Sequence, residues 1–310
     1  MTSNASLKPN FLIVGAAKSG TTSLYHYLKA RPDVFLSSVR KEGRYFSAMA
    51  DGSVYWPRYY NFDTAGSWPE YLALFDGYAG EKRIGDTSPD YLAYAHRAAP
   101  AVLNTLGAET KIIAILRNPV TRAWSHYLQN VRREAEFFSF ERTLDLEASR
   151  AAANWGFQWL YRLNGQYSAQ LPHYMERFDT LVLFQDDLNA DAPATLARVE
   201  DFLGLEPGTA PLDAKRYNSG GIPASLLPVL EGIHDSRDAE SFEALHAGIY
   251  GGNAPGGPSA DGVYPPAPPS EMIYPALPEH TRQRLITLLA PSIGELETLV
   301  NRDLSHWSQP

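Results

Sequence analysis

The chain has 310 residues, 44% of them hydrophobic and 20% charged, a balance that excludes a disordered chain or a fibrous repeat and leaves room for one large α/β domain or two small ones. With 27 basic against 35 acidic side chains the net charge is −8, so the uniformly basic surface of a nucleic-acid binder is absent and a phosphate-bearing partner needs a local basic site. No cysteine is present, which removes disulfides, thiolate metal sites and a thiol nucleophile. The first ten residues lack a signal-peptide layout and no apolar run reaches the ~20 residues of a membrane span, so a cytoplasmic protein is expected.

Residues Phe11 to Val14 are a compact apolar run ending in Gly15, and Leu24 and Leu28 fall at helical spacing within Thr21 to Ala30, before Pro32. This predicts strand, loop, helix. A second unit begins at Lys111, where Ile112 to Leu116 form an uninterrupted strand and Asn118 and Pro119 offer an N-cap and a first-turn proline. A third strand is predicted at Leu181 to Phe184, followed by a helix from about Ala194 to Leu203 that Gly204 closes. Continuous apolar strands, each followed by a helix, imply a parallel sheet covered on both faces.

Between Gly248 and Pro269, six glycines and six prolines occupy the segment, so a long loop is expected. Tyr250 and Tyr264 within it, and Tyr274 just beyond, suit a lid over an acceptor pocket, and mobile surface is the competing reading. From Glu279 to Leu289 helical spacing resumes, is interrupted at Pro291, and continues through Ile293, Leu296 and Leu299, a segment expected to dock on the core.

The stretch Gly15-Ala16-Ala17-Lys18-Ser19-Gly20-Thr21-Thr22 lies between the first strand and its helix. Glycines let backbone N–H groups turn inward, the helix N-terminus adds partial positive charge, and a lysine with hydroxyls completes an anion cradle. The lysine precedes the second glycine, so this is not the spacing of a magnesium-nucleotide loop, although Asp186 and Asp187 after the third strand keep a kinase open. Arg117, at the end of strand 112–116, shares the carboxyl edge of the sheet with Lys18, and Ser125 lies about two helical turns further on.

The segments PNFLIVGAAKSGTTSLYHYLKARPDVF, KEGRYF, GDTSPDYL and LRNPVTRAWSHY, followed by GQYSAQLPHYMERFDTLVLFQDDLNADAPATLARVEDFLGL, RYNSGG and RDLSHW, resemble the sulfotransferases that use 3′-phosphoadenosine 5′-phosphosulfate, notably the branch with heparan sulfate sulfotransferases and their bacterial relatives. The resemblance implies a three-layer P-loop-like α/β fold, a central parallel sheet flanked by helices, in a single domain over 1–310. It implies that Lys18, Ser19, Gly20, Thr21 and Thr22 bind the 5′-phosphosulfate and that Arg117 and Ser125 hold the 3′-phosphate. Tyr217 to Gly221 falls where the family has a further nucleotide-contacting loop, which makes Asn218, Ser219 and Gly220 candidates, with an ordinary turn as the competing reading.

Sulfuryl transfer needs an activated acceptor, charge relief on the moving group and stabilisation of the departing phosphate, and Lys18 suits the last two. Glu42 in Lys41-Glu42-Gly43-Arg44 matches the family segment whose glutamate removes the acceptor proton, and Lys41 and Arg44 would tune it downward if they approach. Asp86 is a second acidic candidate, against a turn-capping role. Arg44 and Thr87 stand where relatives often have histidine and lysine. His26 and His126 are set aside, His126 because a helix turns it about 100° from Ser125. Arg117, Arg122, Arg132 and Arg133 form a local basic cluster that would steer a polyanion, with a solvated face as the alternative for Arg132 and Arg133. The expectation is in-line transfer to an unidentified acceptor, a hydroxyl, with no metal. A nucleotide-binding module without turnover and an ATP-dependent small-molecule kinase are the alternatives.

Overall fold

A computed structural model describes residues 7–48, 64–133, 135–136, 138–208, 220–235 and 271–309. Its sheet contains β1 (Phe11–Gly15), β2 (Val34–Leu36), β3 (Arg83–Thr87), β4 (Lys111–Leu116) and β5 (Thr180–Phe184), all parallel, in the order β2-β3-β1-β4-β5. Successive residues of a strand point to opposite faces, and here both faces are dry, which is why the strands read as continuous apolar runs. Leu12, Val14, Ile112, Ala114 and Leu116 join Ala98, Val102, Trp124 and Leu289 in one core. Phe11, Ile13, Ile113 and Ile115 join Leu24, Leu28, Val199 and Leu203 in the other.

Those helical residues identify the outer layers. One comprises helices Ala95–Leu106, Pro119–Arg132 and Glu279–Val300. The other comprises α1 (Thr21–Lys29) and the helix Ala192–Leu203. The three-layer α/β architecture expected from the sequence is therefore present. Because β1 sits between β3 and β4, the loop leaving β1 opens into the crevice at the strands' carboxyl ends, where open α/β sheets collect ligands.

The three predicted strand-helix units are in place, with Asn118 accepting from the Val120 amide at 2.9 Å and Gly204 closing its helix in the left-handed region. Two strands were not legible. β2 is only three residues long, and β3, Arg-Ile-Gly-Asp-Thr, has a single large apolar side chain. Its Gly85 faces the Phe11 ring so closely that a Cβ would lie 2.2 Å from it, so packing of the neighbouring strand explains the glycine. A short helix, Gln185–Ala190, also directly follows β5.

The expected interruption at Pro291 does not occur: Glu279–Val300 is one helix with the proline inside it. Leu285, Leu289, Ile293 and Leu296 lie buried on one side of it, and this docked stripe outweighs the one backbone donor that proline lacks. Beyond it, Arg302 grips Asp187 with two hydrogen bonds of 2.5 and 2.7 Å, and Trp307 Nε1 donates to Asp186 at 3.1 Å. The Trp307 carbonyl accepts from Asn118, the cap of the Pro119–Arg132 helix, at 3.2 Å. These contacts occupy the two carboxylates that had kept a magnesium site open. A small antiparallel pair, β6 (Ile222–Pro223) with β7 (Met272–Ile273), packs against the Pro119–Arg132 helix. The 248–269 loop, with Tyr250 and Tyr264, lies outside the described residues, within which no helix is long and apolar enough to cross a membrane.

Candidate active site

The turn after β1 is built for close approach. A Cβ on Gly15 would lie 2.6 Å from Leu92, while Lys18 and Gly20 take left-handed φ values of 71° and 108°. Placing a lysine in that region is costly for an L side chain and makes the concave run of amides that favours anions. Two fastenings hold the turn: the Ala16 amide donates to Ile115 at 2.8 Å, and Arg117 Nη1 donates to the Lys18 carbonyl at 3.3 Å. Thr21 and Thr22 then open α1, whose first-turn amides face the same space.

Burial, followed by the like charges of Arg132, Arg133, Arg117 and Arg122, pushes the Lys18 ammonium down from 10.5 to about 7. Arg117 lies before the helix rather than in it. Its Nε donates to Thr121 Oγ1 at 3.0 Å, and Ser125 is one turn beyond Thr121, so the guanidinium and the buried serine share a helix edge. Gly220, at φ 72°, closes on that edge: a Cβ there would be 3.8 Å from Ser125 Oγ and 3.3 Å from the Tyr274 ring. Asn218 and Ser219 lie outside the described residues.

The opposite wall is the segment Lys41 to Arg44. Lys41 Nζ lies 3.1 Å from Glu42 Oε1 and 3.0 Å from Thr22 Oγ1, and Arg44 pairs with the other Glu42 oxygen. Burial raises the Glu42 pKa, but Arg44 and Lys41 outweigh it and hold the carboxyl below its usual value. This is the downward tuning expected from the sequence.

Asp86 has a different place. Its carboxylate accepts from Tyr91 at 2.8 Å, Ser88 at 2.9 Å, Tyr71 at 3.0 Å and the Gly43 amide at 3.4 Å. Ser88 Oγ in turn accepts from the Arg44 amide at 3.0 Å. The Asp86-Thr87-Ser88 motif thus brackets the loop that carries Glu42, and Asp86 itself does not line the cleft. Thr87 is fully buried in β3 and is also absent from the lining. Gly43 is required by the same bracket, since a Cβ would press 2.8 Å from the Tyr71 ring.

Between the walls lies a cleft of about 290 Å³, at the small end for ligand sites, enough for the reacting ends of two molecules. Lys18, Lys41, Arg44, Arg132 and Arg133 line it, with Glu42 as the one carboxylate among the described residues. Arg132, half-buried, and Arg133, exposed, thus both border the cleft. His126, Gln129, Phe157 and Gln158 also line it. The stripe His126, Gln129, Arg133 at helical spacing was a readable signal for one face of the Pro119–Arg132 helix. Nothing local marked Phe157 and Gln158, which arrive on a short turn from a later segment.

The sulfotransferase family model matches residues 9–209, and the chain belongs to that family. The human heparan sulfate glucosamine 3-O-sulfotransferases 3B1 and 3A1 are each 30% identical over 201 residues, 64% of this chain but 46% and 45% of those proteins, so the matched region spans just under half the length of these two relatives. The crystal structure of a sulfotransferase from Alicyclobacillus acidocaldarius is 27% identical, covers 97% of this chain and 99% of its own, and superposes with a TM-score of 0.69. The family model thus spans β1 to β5 and the cleft-lining residues of both walls.

Proposed function

We propose that the chain is a sulfotransferase that moves a sulfuryl group from 3′-phosphoadenosine 5′-phosphosulfate to an acceptor hydroxyl by in-line transfer, as one unit over 1–310, with the two walls of the cleft taking separate tasks. Full-length correspondence with the bacterial sulfotransferase supports the single unit, and the names of the human relatives, both 3-O-sulfotransferases, support oxygen as the acceptor atom. The observation that carries the reading is Lys18, pushed down to about 7 among arginines, facing the Glu42 carboxylate across one cleft. A cluster of like charges crowded in a buried turn fits a polyanion, which relieves their mutual repulsion.

The donor supplies an activated sulfur whose bond to a phosphate oxygen breaks. Lys18 and the amides of residues 18 to 22 neutralise the phosphate charge as it develops, a role that preorganised donors perform without reorganising at the moment of reaction. Arg117 and Ser125, with Gly220 behind them, hold the 3′-phosphate, and Asn218 and Ser219 are further nucleotide-contacting candidates by their motif alone. Glu42 is ionised because of Arg44 and Lys41, accepts a hydrogen bond from the acceptor hydroxyl and takes its proton. Asp86 acts through the loop it brackets.

Calorimetric titration with adenosine 3′,5′-bisphosphate and with ATP, with and without magnesium, tests the donor site. Magnesium-independent binding of the bisphosphate that weakens in Arg117→Ala is expected. Preference for ATP, or indifference to Arg117, would overturn the 3′-phosphate assignment.

A further inference from the structure

The polar groups behind the cleft are arranged with a fixed polarity. Arg122 is fully buried, and its guanidinium has hydrogens to give and no lone pair to offer. Its Nη1 lies 3.3 Å from His126 Nδ1. That nitrogen must accept, so the imidazole hydrogen sits on Nε2, which lies 2.5 Å from Gln158 Oε1. A second proton on the ring is opposed by burial and by the charges of Arg122, Lys18 and Arg133, which keep the His126 pKa well below 6.5.

The carboxamide of Gln158 is thereby turned with its oxygen toward His126 and its NH₂ away. Asn130 fixes the other end of the residue, donating to the Gln158 carbonyl at 2.8 Å. Among the described residues the Gln158 amide hydrogens meet no acceptor, and Gln158 lines the cleft. The ammonium of Lys18 and the guanidinium groups around it are all donors, and the Glu42 oxygens are already paired with Lys41 and Arg44, so an amide aimed among them is placed to serve an incoming oxygen.

We propose that Gln158 donates a hydrogen bond to an oxygen of the transferring sulfuryl group, with Arg122 and His126 as the positioning residues that set its orientation. The assignment rests on the donor reading above. The sulfuryl oxygens are the fitting acceptors because they are anionic and arrive beside Lys18, whereas the acceptor hydroxyl gives its hydrogen to Glu42.

The product nucleotide lacks the sulfuryl group, which isolates the contact. Dissociation constants for 3′-phosphoadenosine 5′-phosphosulfate and for adenosine 3′,5′-bisphosphate are measured in the cold, without acceptor, on wild type, Gln158→Leu and Gln158→Glu. The bisphosphate should bind wild type and Gln158→Leu within about twofold, while the phosphosulfate weakens about tenfold in Gln158→Leu; in Gln158→Glu, whose added charge faces the cleft, both nucleotides weaken and the phosphosulfate more so. Equal effects on both nucleotides, or none on either, would overturn the proposal. In parallel, nitrogen-15 spectra of labelled wild type should show His126 as the neutral Nε2–H tautomer, and an Nδ1–H form would break the relay. Wild type that binds neither nucleotide sinks the donor reading itself, and the spectrum still decides the relay.

Discussion

The two walls of the cleft depart from ordinary acidity in the same direction for opposite reasons. Lys18 is pushed down by burial and by neighbours of its own sign, whereas Glu42 is pushed down, against burial, by neighbours of the opposite sign. One wall is a concentration of positive charge without a carboxylate in an acidic protein, and the other pairs one carboxylate with two cations. They also differ in construction. The Lys18 wall is built on a run of consecutive residues whose own amides form the cradle, fastened to the end of β4 by one backbone bond and the Arg117 side chain, while the Glu42 wall hangs on side chains some forty residues away. An anion site can thus be written in a short local motif, but the placement of a base requires distant partners.

Substitution on the charged wall should have the largest effect. Lys18→Ala is expected to lower turnover about 100- to 1000-fold, corresponding to ~2.7–4 kcal/mol of barrier, with an unchanged circular-dichroism spectrum. A folded variant with full turnover would remove Lys18 from the chemistry. On the ion-paired wall, Glu42→Gln should cost about 100-fold in turnover while bisphosphate binding, followed by calorimetry, stays equal or tightens because a negative charge has left. Weakened binding instead would make Glu42 a structural partner of the donor site.

The difference in construction is tested by Asp86→Ala, which strands two tyrosine hydroxyls, Ser88 and the Gly43 amide. Denaturant unfolding should register a loss of about 3 kcal/mol together with reduced turnover. Undiminished stability would show that the bracket is not what holds the loop. The finest effect is proton linkage. Bound phosphates raise the Lys18 pKa from about 7, so the complex holds more protons than the free protein above that pH, and affinity falls as pH rises. Calorimetry at pH 8 in buffers of different ionisation enthalpy should report uptake approaching one proton, absent in Lys18→Ala.

The same contrast explains how much was legible in the sequence. β1, β4 and β5 announce themselves because burial on both faces demands unbroken apolar runs, and the anion turn does so because lysine, serine and glycine fall between strand and helix. Glu42 was found through its motif, and the depression of its pKa followed from charged residues beside it in sequence. β3 was invisible because its glycine answers to the Phe11 ring of another strand. The bracketing task of Asp86 was equally hidden, since three of its four donors lie outside its own motif or at its far end. His126 was set aside on helical geometry relative to Ser125, yet that turn of about 100° is what carries it to the cleft while Ser125 faces Gly220.

Trp307 and Arg302 fasten to residues 118, 186 and 187, which are made more than a hundred positions earlier. During synthesis, the start of the helix that carries His126 and Arg132 and the end of β5 emerge from the ribosome long before the latch that secures them. Nascent chains stalled ahead of residue 302 should therefore expose an unlatched sheet edge, and the cleft can reach its final rigidity only late in translation.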